Sequence, residues 1–409
     1  MTENVVIAVA LAGAGWHPAA WREESASPEK ITRLPYWRGL IGRAERGGVD
    51  FVTLEDSFLL QGGSITAGGS PDEHRVGGRL DALLIASAVA PSTSRIGLIP
   101  TVTTTHTEPF HVATGLQTLD HASRGRGGWR VQASPLAEEA ALFGRRTIEP
   151  LDREDLAGPE AQALIADLFG EAADVIEVVR RLWDSWEDDA VIREVATGRY
   201  LDRDRIHNVE FEGEWFSVSG ASIVPRPPQG QLPVTLLAHQ DKPYELAARG
   251  ADIVYVTPDG DSSASTILQS VRDAESRVGR VGAPLHVYAD LLVLLDDTEQ
   301  AARDALARLD DRAESALESD AVILPTTVDR LVERIRAWQG LGYAGFRLRP
   351  ARLPQDLDRI AGELLPALEK AGLHSSADGA TFRERLGLAP APNRYATTRS
   401  TTRQEEVVV

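Results

Sequence analysis

The sequence predicts an α/β chain folded as a (β/α)8 TIM barrel with insertions. Three observations carry this. Apolar, strand-like runs alternate with amphipathic segments about eight times between Val5 and Ala371, which a parallel barrel requires. The chain has 409 residues, long for one small domain and ordinary for a barrel with insertions. Finally, Arg95–Ser134 reads as one complete strand–helix–strand unit whose polar side chains gather where its first strand ends. Ligands of parallel α/β folds bind at that end of the strands.

Composition narrows the function. With 43% hydrophobic residues the chain can bury a large core, and its net charge of −18 repels phosphate backbones, so nucleic acid is not an expected partner. It has no cysteine, which excludes disulfides, thiolate nucleophiles, flavin–cysteine bonds and Cys-type zinc or iron–sulfur centres. Val5–Leu11 is too short to span a bilayer, and the residues before it include Glu3 and no Lys or Arg, unlike a signal peptide. A soluble cytoplasmic protein with no membrane partner and no metal site is expected.

In order, Val5–Leu11 is the first strand, followed by Gly13–Arg22 with Trp16, His17 and Trp21. The tryptophans suit packing over a barrel mouth; for His17, packing and ligand contact both stay open. Tyr36–Arg46 has helical spacing and stops at Gly47-Gly48. Val49–Leu54 is the second strand, with Glu55 and Asp56 at its carboxyl end. Leu59–Gly78 is rich in Gly and Ser and reads as a long loop near the mouth, and Arg79–Ala90 is a helix closed by Pro91. Arg95–Val102 is the third strand. Thr103, Thr104, Thr105 and His106 follow it, Pro109 starts a helix, Arg124–Gly128 breaks that helix, and Trp129–Ala133 is the fourth strand.

Residues from about 135 to 232 interrupt the alternation as an insertion. Ala137–Gly144 suits a short helix, Glu149–Glu160 a polar loop, Ala161–Trp186 a long amphipathic helix, and Asn208–Pro228 a β-hairpin. Pro233–Ala238 resumes the barrel and ends at His239-Gln240-Asp241; Asp241, before Lys242-Pro243, has the pattern of a helix N-cap. Strands at Ala251–Thr257, Leu285–Leu295 and Tyr343–Leu348, with helices at Ser262–Val278, Thr298–Leu317, Thr327–Leu341 and Pro354–Ala371, close the ring at residue 394. Tyr395–Val409, rich in Thr, Ser and Arg and then acidic, reads as a disordered tail.

Five stretches together resemble the nitrilotriacetate monooxygenase branch of the bacterial luciferase-like flavin family. They are Gly15–Arg22 (GWHPAAWR), the Thr103–Trp129 unit with Leu119–His121 and Gly128-Trp129, Leu182–Ala190 (LWDSWEDDA), Gly213–Gly230 and Thr381–Leu388. The resemblance implies a luciferase-like barrel and a two-component monooxygenase. Such an enzyme takes reduced FMN from a separate flavin reductase and uses O2 to oxidise a small organic substrate, commonly as a homodimer or homotetramer. It places cofactor contacts at Asp56, Thr103, Thr104, Arg130, Ser134, His239 and Gln240. His106 and His17 are the candidates for polar catalytic roles beside the flavin.

Three departures from the branch keep alternatives open. Arg130 stands where the branch has asparagine, no tyrosine lies between Trp129 and Trp186 to supply a flavin contact, and His239-Gln240-Asp241 replaces a small-residue phosphate turn. A capping carboxylate at Asp241 would compete with a flavin phosphate for the helix N–H donors and repel it. His239, Lys242 or Arg130 compensates, or the phosphate sits elsewhere, or flavin binding is lost. An F420-dependent oxidoreductase and a flavin-less binding protein of the same barrel are the corresponding alternatives. Arg130, on an inner strand, needs a partner.

Overall fold

The computed structural model describes residues 4–59, 74–150, 158–375 and 379–396. Strands β1 (Val6–Leu11), β2 (Phe51–Leu54), β3 (Gly97–Thr103) and β4 (Trp129–Gln132) pair in sequence order, all parallel. An insertion then carries two antiparallel hairpins, β5 (Val191–Glu194) with β6 (Arg199–Leu201) and β7 (Val209–Glu212) with β8 (Ser217–Gly220). β9 (Val234–Leu237), β10 (Ile253–Val256), β11 (His286–Leu295), a short β12 (Ile323–Thr326) and β13 (Gly345–Pro350) follow. Pairing of β4 with β9, β9 with β10, β10 with β11, β11 with β13 and β13 with β1 closes the eight-stranded barrel that the alternation predicts.

β12 was not expected. β11 is long enough that only its first half pairs β10; its second half, Leu292–Leu295, would offer a bare edge, and Ile323–Thr326 covers it. With Pro325 inside so short a run, the segment carries little strand signal. The β5–β6 hairpin was also missed, because it is half-exposed or exposed throughout and has no apolar alternation.

The helices are α1 (Leu34–Arg46), α2 (Ala82–Val89), α3 (Pro109–Ser123), α4 (Ala137–Phe143), α5 (Pro159–Asp184), α6 (Asp241–Gly250), α7 (Asp261–Val278), α8 (Glu299–Ala313), α9 (Val328–Leu341), α10 (Gln355–Arg359), α11 (Leu365–Lys370) and α12 (Phe382–Arg385). α2 starts three residues later than expected because Asp81 is its N-cap, accepting from the Leu84 N–H at 2.8 Å. α8 ends at Ala313, where Glu314 turns left-handed. Residues 60–73 of the expected mouth loop lie outside the described residues, as do residues 397–409 of the expected tail. Tyr395, assigned to that tail, instead stacks on His207 with centroids 4.6 Å apart. No helix among the described residues is long and apolar enough to cross a membrane.

The barrel interior is layered. At its amino end Phe51, Ile99, Ile253, Tyr288 and the α12 residue Phe382 form an aromatic and aliphatic plug. Gly97 is required there, because a Cβ at that position would sit inside the Phe382 ring. The next layer is polar: Thr53, Thr101, Arg130, Thr235, Asp290 and Arg347 are all buried.

Two buried carboxylates tie the insertion to the barrel. Asp120, on α3, accepts from the N–H of Gly127 at 3.0 Å and from the side-chain amide of Gln229 at 2.5 Å. Burial pushes it up to about 6, against those donors. Asp252 accepts from the Val234 N–H at 2.9 Å, from Arg180 of α5 at 2.7 Å and from Arg383 of α12 at 3.1 Å. Burial alone would raise the Asp252 carboxyl, but Arg180 and Arg383 outweigh it and hold it at about 2. That is below the unfolded value of about 3.9, so its stabilisation is complete above about pH 4 and is lost as pH falls through about 2. Asp252→Asn, which strands two arginines, should cost about 3–5 kcal/mol of unfolding free energy near neutrality. Denaturant titrations across pH should show that deficit shrinking as the wild-type carboxylate protonates.

Candidate functional site

At the carboxyl ends of the strands lies a cavity of about 620 Å³. Its wall comes from the β1 loop (Ala12–Pro18), Glu55 and Asp56 after β2, Arg75–Leu80 before α2, the end of β4, His239, the first turns of α6, Asp320 and Arg349. The β1 loop reaches the rim by lying on β13: Trp16 and His17 donate their N–H groups to the carbonyls of Pro350 and Ala351, each at 3.0 Å. Only glycine allows that approach at Gly15, where φ is +126° and a Cβ would run into the Ala351 carbonyl.

The floor is a continuous lattice of alternating charge. Arg130 meets Glu55 at 3.0 Å and donates to Thr101 at 3.0 Å. Glu55 also pairs with Arg347, which reaches Thr53 at 2.9 Å and Asp290 at 2.6 Å. Asp290 takes Arg349 at 2.6 Å, and Arg349 grips Asp320 at 2.5 and 2.9 Å. His239 closes the series, 3.3 Å from Asp320 and 2.9 Å from the Thr257 hydroxyl. Burial would raise the Glu55 carboxyl, yet Arg130, Arg347 and Arg349 hold it below its ordinary value. Asp320 is held low in the same way, against burial, by His239 and Arg349.

The structure sorts the residues singled out from the sequence. His17, Asp56, Arg130 and His239 line this cavity; His106, Thr103, Thr104, Ser134 and Gln240 do not. Thr103, Thr104 and Ser134 join β3 to β4 instead. Thr104 donates to the Gln132 carbonyl at 3.3 Å, and Thr105 accepts from the Ser134 N–H at 2.8 Å. His106 sits in a neighbouring cleft under the insertion, stacked on Phe143 at 5.1 Å, with Nε2 3.9 Å from Glu139. It is therefore not beside the 620 Å³ space. Burial lowers its basicity, against Glu139.

His17 faces the cavity with both nitrogens engaged. Nδ1 accepts from the Ala19 N–H at 3.0 Å, so Nε2 carries the proton and meets Asp310 at 3.0 Å. Burial, outweighing Asp310, lowers its pKa and keeps it neutral. Both nitrogens are thus engaged, one by the loop itself and the other by α8. Asp56 accepts from the N–H groups of Ser57 at 2.8 Å and Ala82 at 2.7 Å, anchoring the start of α2, and burial raises its pKa against those bonds.

The expected conflict at α6 is absent. Gln240 is the N-cap and Asp241 the first helical residue; neither side chain caps the helix, and Asp241 turns outward to Arg277 at 3.3 Å. Arg130 has Glu55 as its partner, not Asp241. Sequence reasoning missed Asp290, Asp320 and Arg349. An alternating Arg347-x-Arg349 on one inner face was the available signal. Arg347→Met should lower the unfolding free energy by about 3–5 kcal/mol in denaturant titrations, because Glu55 and Asp290 each lose a buried counter-charge.

Comparison with known proteins agrees with this fold. Residues 15–322 match the family model described as luciferase-like monooxygenase. The N-acetyl-S-(2-succino)cysteine monooxygenase of Bacillus subtilis (strain 168) is 28% identical, covering 96% of this chain and 99% of that protein. Nitrilotriacetate monooxygenase component A of Aminobacter aminovorans is also 28% identical, over 93% and 96%. A crystal structure of riboflavin lyase with modified FMN and riboflavin superposes with a TM-score of 0.82 at 22% identity, covering 95% of this chain and 97% of that one. By fold and by the extent of the family match, the chain belongs to the luciferase-like monooxygenases.

Proposed function

We propose that the protein is the oxygenase component of a two-component monooxygenase, receiving reduced FMN from a separate reductase and oxidising a small organic molecule with O2. The observation that carries this reading is the cavity itself. It lies at the carboxyl rim, within the usual size range for small-molecule sites, and it has apolar walls around a few fixed charges.

The residues present suit a flavin. Trp16, Leu54, Val131 and Leu236 offer apolar surface for a flat ring system. Arg130 and Arg349 each keep a buried Nε–H without a partner, donors suited to the polar edge of that ring. Asp56 and Arg130 are proposed as the ring contacts. For the phosphate, the first turn of α6, from Gln240, together with the His239 side chain, gives N–H donors with no capping carboxylate in competition. Bound reduced FMN would supply the electrons that activate O2. The chain's own part is to hold the ring against the lattice, to keep His17 neutral so that the β1 loop stays closed on β13, and to exclude water with Trp16 and Trp37.

Oxidised FMN should quench on titration with a micromolar Kd, and riboflavin should bind more weakly. Reoxidation of reduced FMN by O2, followed by stopped-flow absorbance, should be slower with the protein present than without it. Failure of both oxidised and reduced FMN to bind removes the reading, and binding of F420 in their place puts a hydride-transfer enzyme in its stead.

A further inference from the structure

Resting on the oxygenase reading of the main cavity, we propose that a second, smaller cavity beside it admits and holds O2, which enters between α2 and α3 rather than past the rim. This space, of about 170 Å³, lies over the carboxyl end of β3 and is bounded by Leu83 of α2, Val112 of α3 and the Phe58 ring. Its outer edge is at the surface, where Leu83 is half-buried and His111 exposed. Among the described residues only Asp56 and Gln132 line both this space and the 620 Å³ cavity, so those two side chains form the partition between them.

Polar residues stand in the wall of the small cavity, but their polar atoms are engaged elsewhere. The Thr101 hydroxyl accepts from Arg130 at 3.0 Å, the Thr103 hydroxyl accepts from the Thr105 N–H at 3.4 Å, and the Thr107 hydroxyl donates to the Thr103 carbonyl. Glu139 takes the Ser57 hydroxyl at 2.6 Å and the Phe58 N–H at 2.9 Å with one oxygen. Its other oxygen has no hydrogen bond, but it is sealed from solvent, 3.9 Å from His106 Nε2, and so does not front the space. Asp81 stands at the outer edge as the N-cap of α2. Leu83, Val102, Val112 and Phe58 therefore set the character of the interior. A cavity of this size walled by carbon holds water poorly and takes small apolar molecules such as xenon or benzene. O2 is a molecule of that kind.

The partition favours a small visitor. Asp56 is fixed, because one oxygen holds the Ser57 N–H at 2.8 Å and the other the Ala82 N–H at 2.7 Å. The half-buried Gln132 side-chain amide makes no hydrogen bond to any described residue and is free to turn. One fixed wall and one movable side chain make a narrow passage, suited to a diatomic molecule rather than to an organic substrate. The rim does not serve the same purpose: with flavin and substrate in the 620 Å³ cavity the way past Trp16 and Trp37 is filled, and O2 needs an entrance of its own.

The test has two arms. Crystals of the flavin-free protein pressurised with xenon should show the gas between Leu83 and Val112, and Val112→Phe, which fills the space, should abolish it; Leu83→Trp stands in if that variant does not fold. In stopped flow, the reduced FMN-loaded protein is mixed with O2 at several concentrations. The rate constant for O2 should fall roughly threefold or more in the filled variant while FMN affinity stays within about twofold. Absence of xenon from this space overturns the proposal. So does an unchanged rate constant in a variant that has lost xenon, which would leave the space to an apolar arm of the organic substrate. If FMN itself fails to bind, the oxygenase reading falls and the role in O2 delivery with it, whereas the xenon arm still decides whether the space takes an apolar gas.

Discussion

The pairing of Arg347 with Glu55 and Asp290 is the contact on which the barrel and its site both depend. Arg347 is fully buried in the middle of the last strand. It links β13 to β2 through Glu55 and Thr53, and to β11 through Asp290. Its guanidinium also lies over the Tyr255 ring of β10 at 5.0 Å. A charge in that position is tolerable only because every neighbour supplies opposite charge, a hydroxyl or an aromatic face. The lattice extends from there, outward to Arg130 on one side and through Arg349 to Asp320 and His239 on the other. The barrel is apolar at its amino end and charged at its carboxyl end, and this asymmetry leaves one end plugged and the other open to ligand.

The lattice also explains the residue most at odds with the family pattern. Arg130 in place of asparagine looked like an intrusion into a flavin site. In the fold it is the counter-ion of Glu55 and a hydrogen-bond donor to Thr101, with its remaining Nε–H left for whatever fills the cavity. A single substitution of this kind can redirect what a site binds without disturbing the strands, because strand pairs with strand through main-chain hydrogen bonds and the charge is balanced locally.

The tryptophan and acid motifs of the insertion serve packing and anchorage. Trp183 is buried against Trp129 at 6.4 Å, Trp186 donates to the Ser222 carbonyl at 2.7 Å, and Asp184 holds Arg226 at 3.1 Å. With Asp120 and Asp252 they pin a long excursion of the chain to the outside of the barrel. These were the most recognisable stretches of the sequence, and they touch the cavity nowhere. Distinctive residues mark where a long connection must be fastened as readily as where chemistry occurs.

Much of the architecture was legible in the sequence alone. Strand and helix periodicity are local properties, set by which residues face the core every second or every fourth position, so seven of the helices and the eight barrel strands could be read within a few residues. So could the end of the barrel that carries polar groups, since Glu55, Asp56 and His239 each follow a strand directly. The tertiary structure alone decided which of those groups meet. Thr103, Thr104 and His106 lie at the rim by sequence and yet turn away from the cavity, while Asp290, Asp320 and Arg349, from three separate segments, converge on its floor. A side chain's inward or outward aim depends on register, twist and closure of the whole ring, and charges far apart along the chain select one another only once that ring has closed.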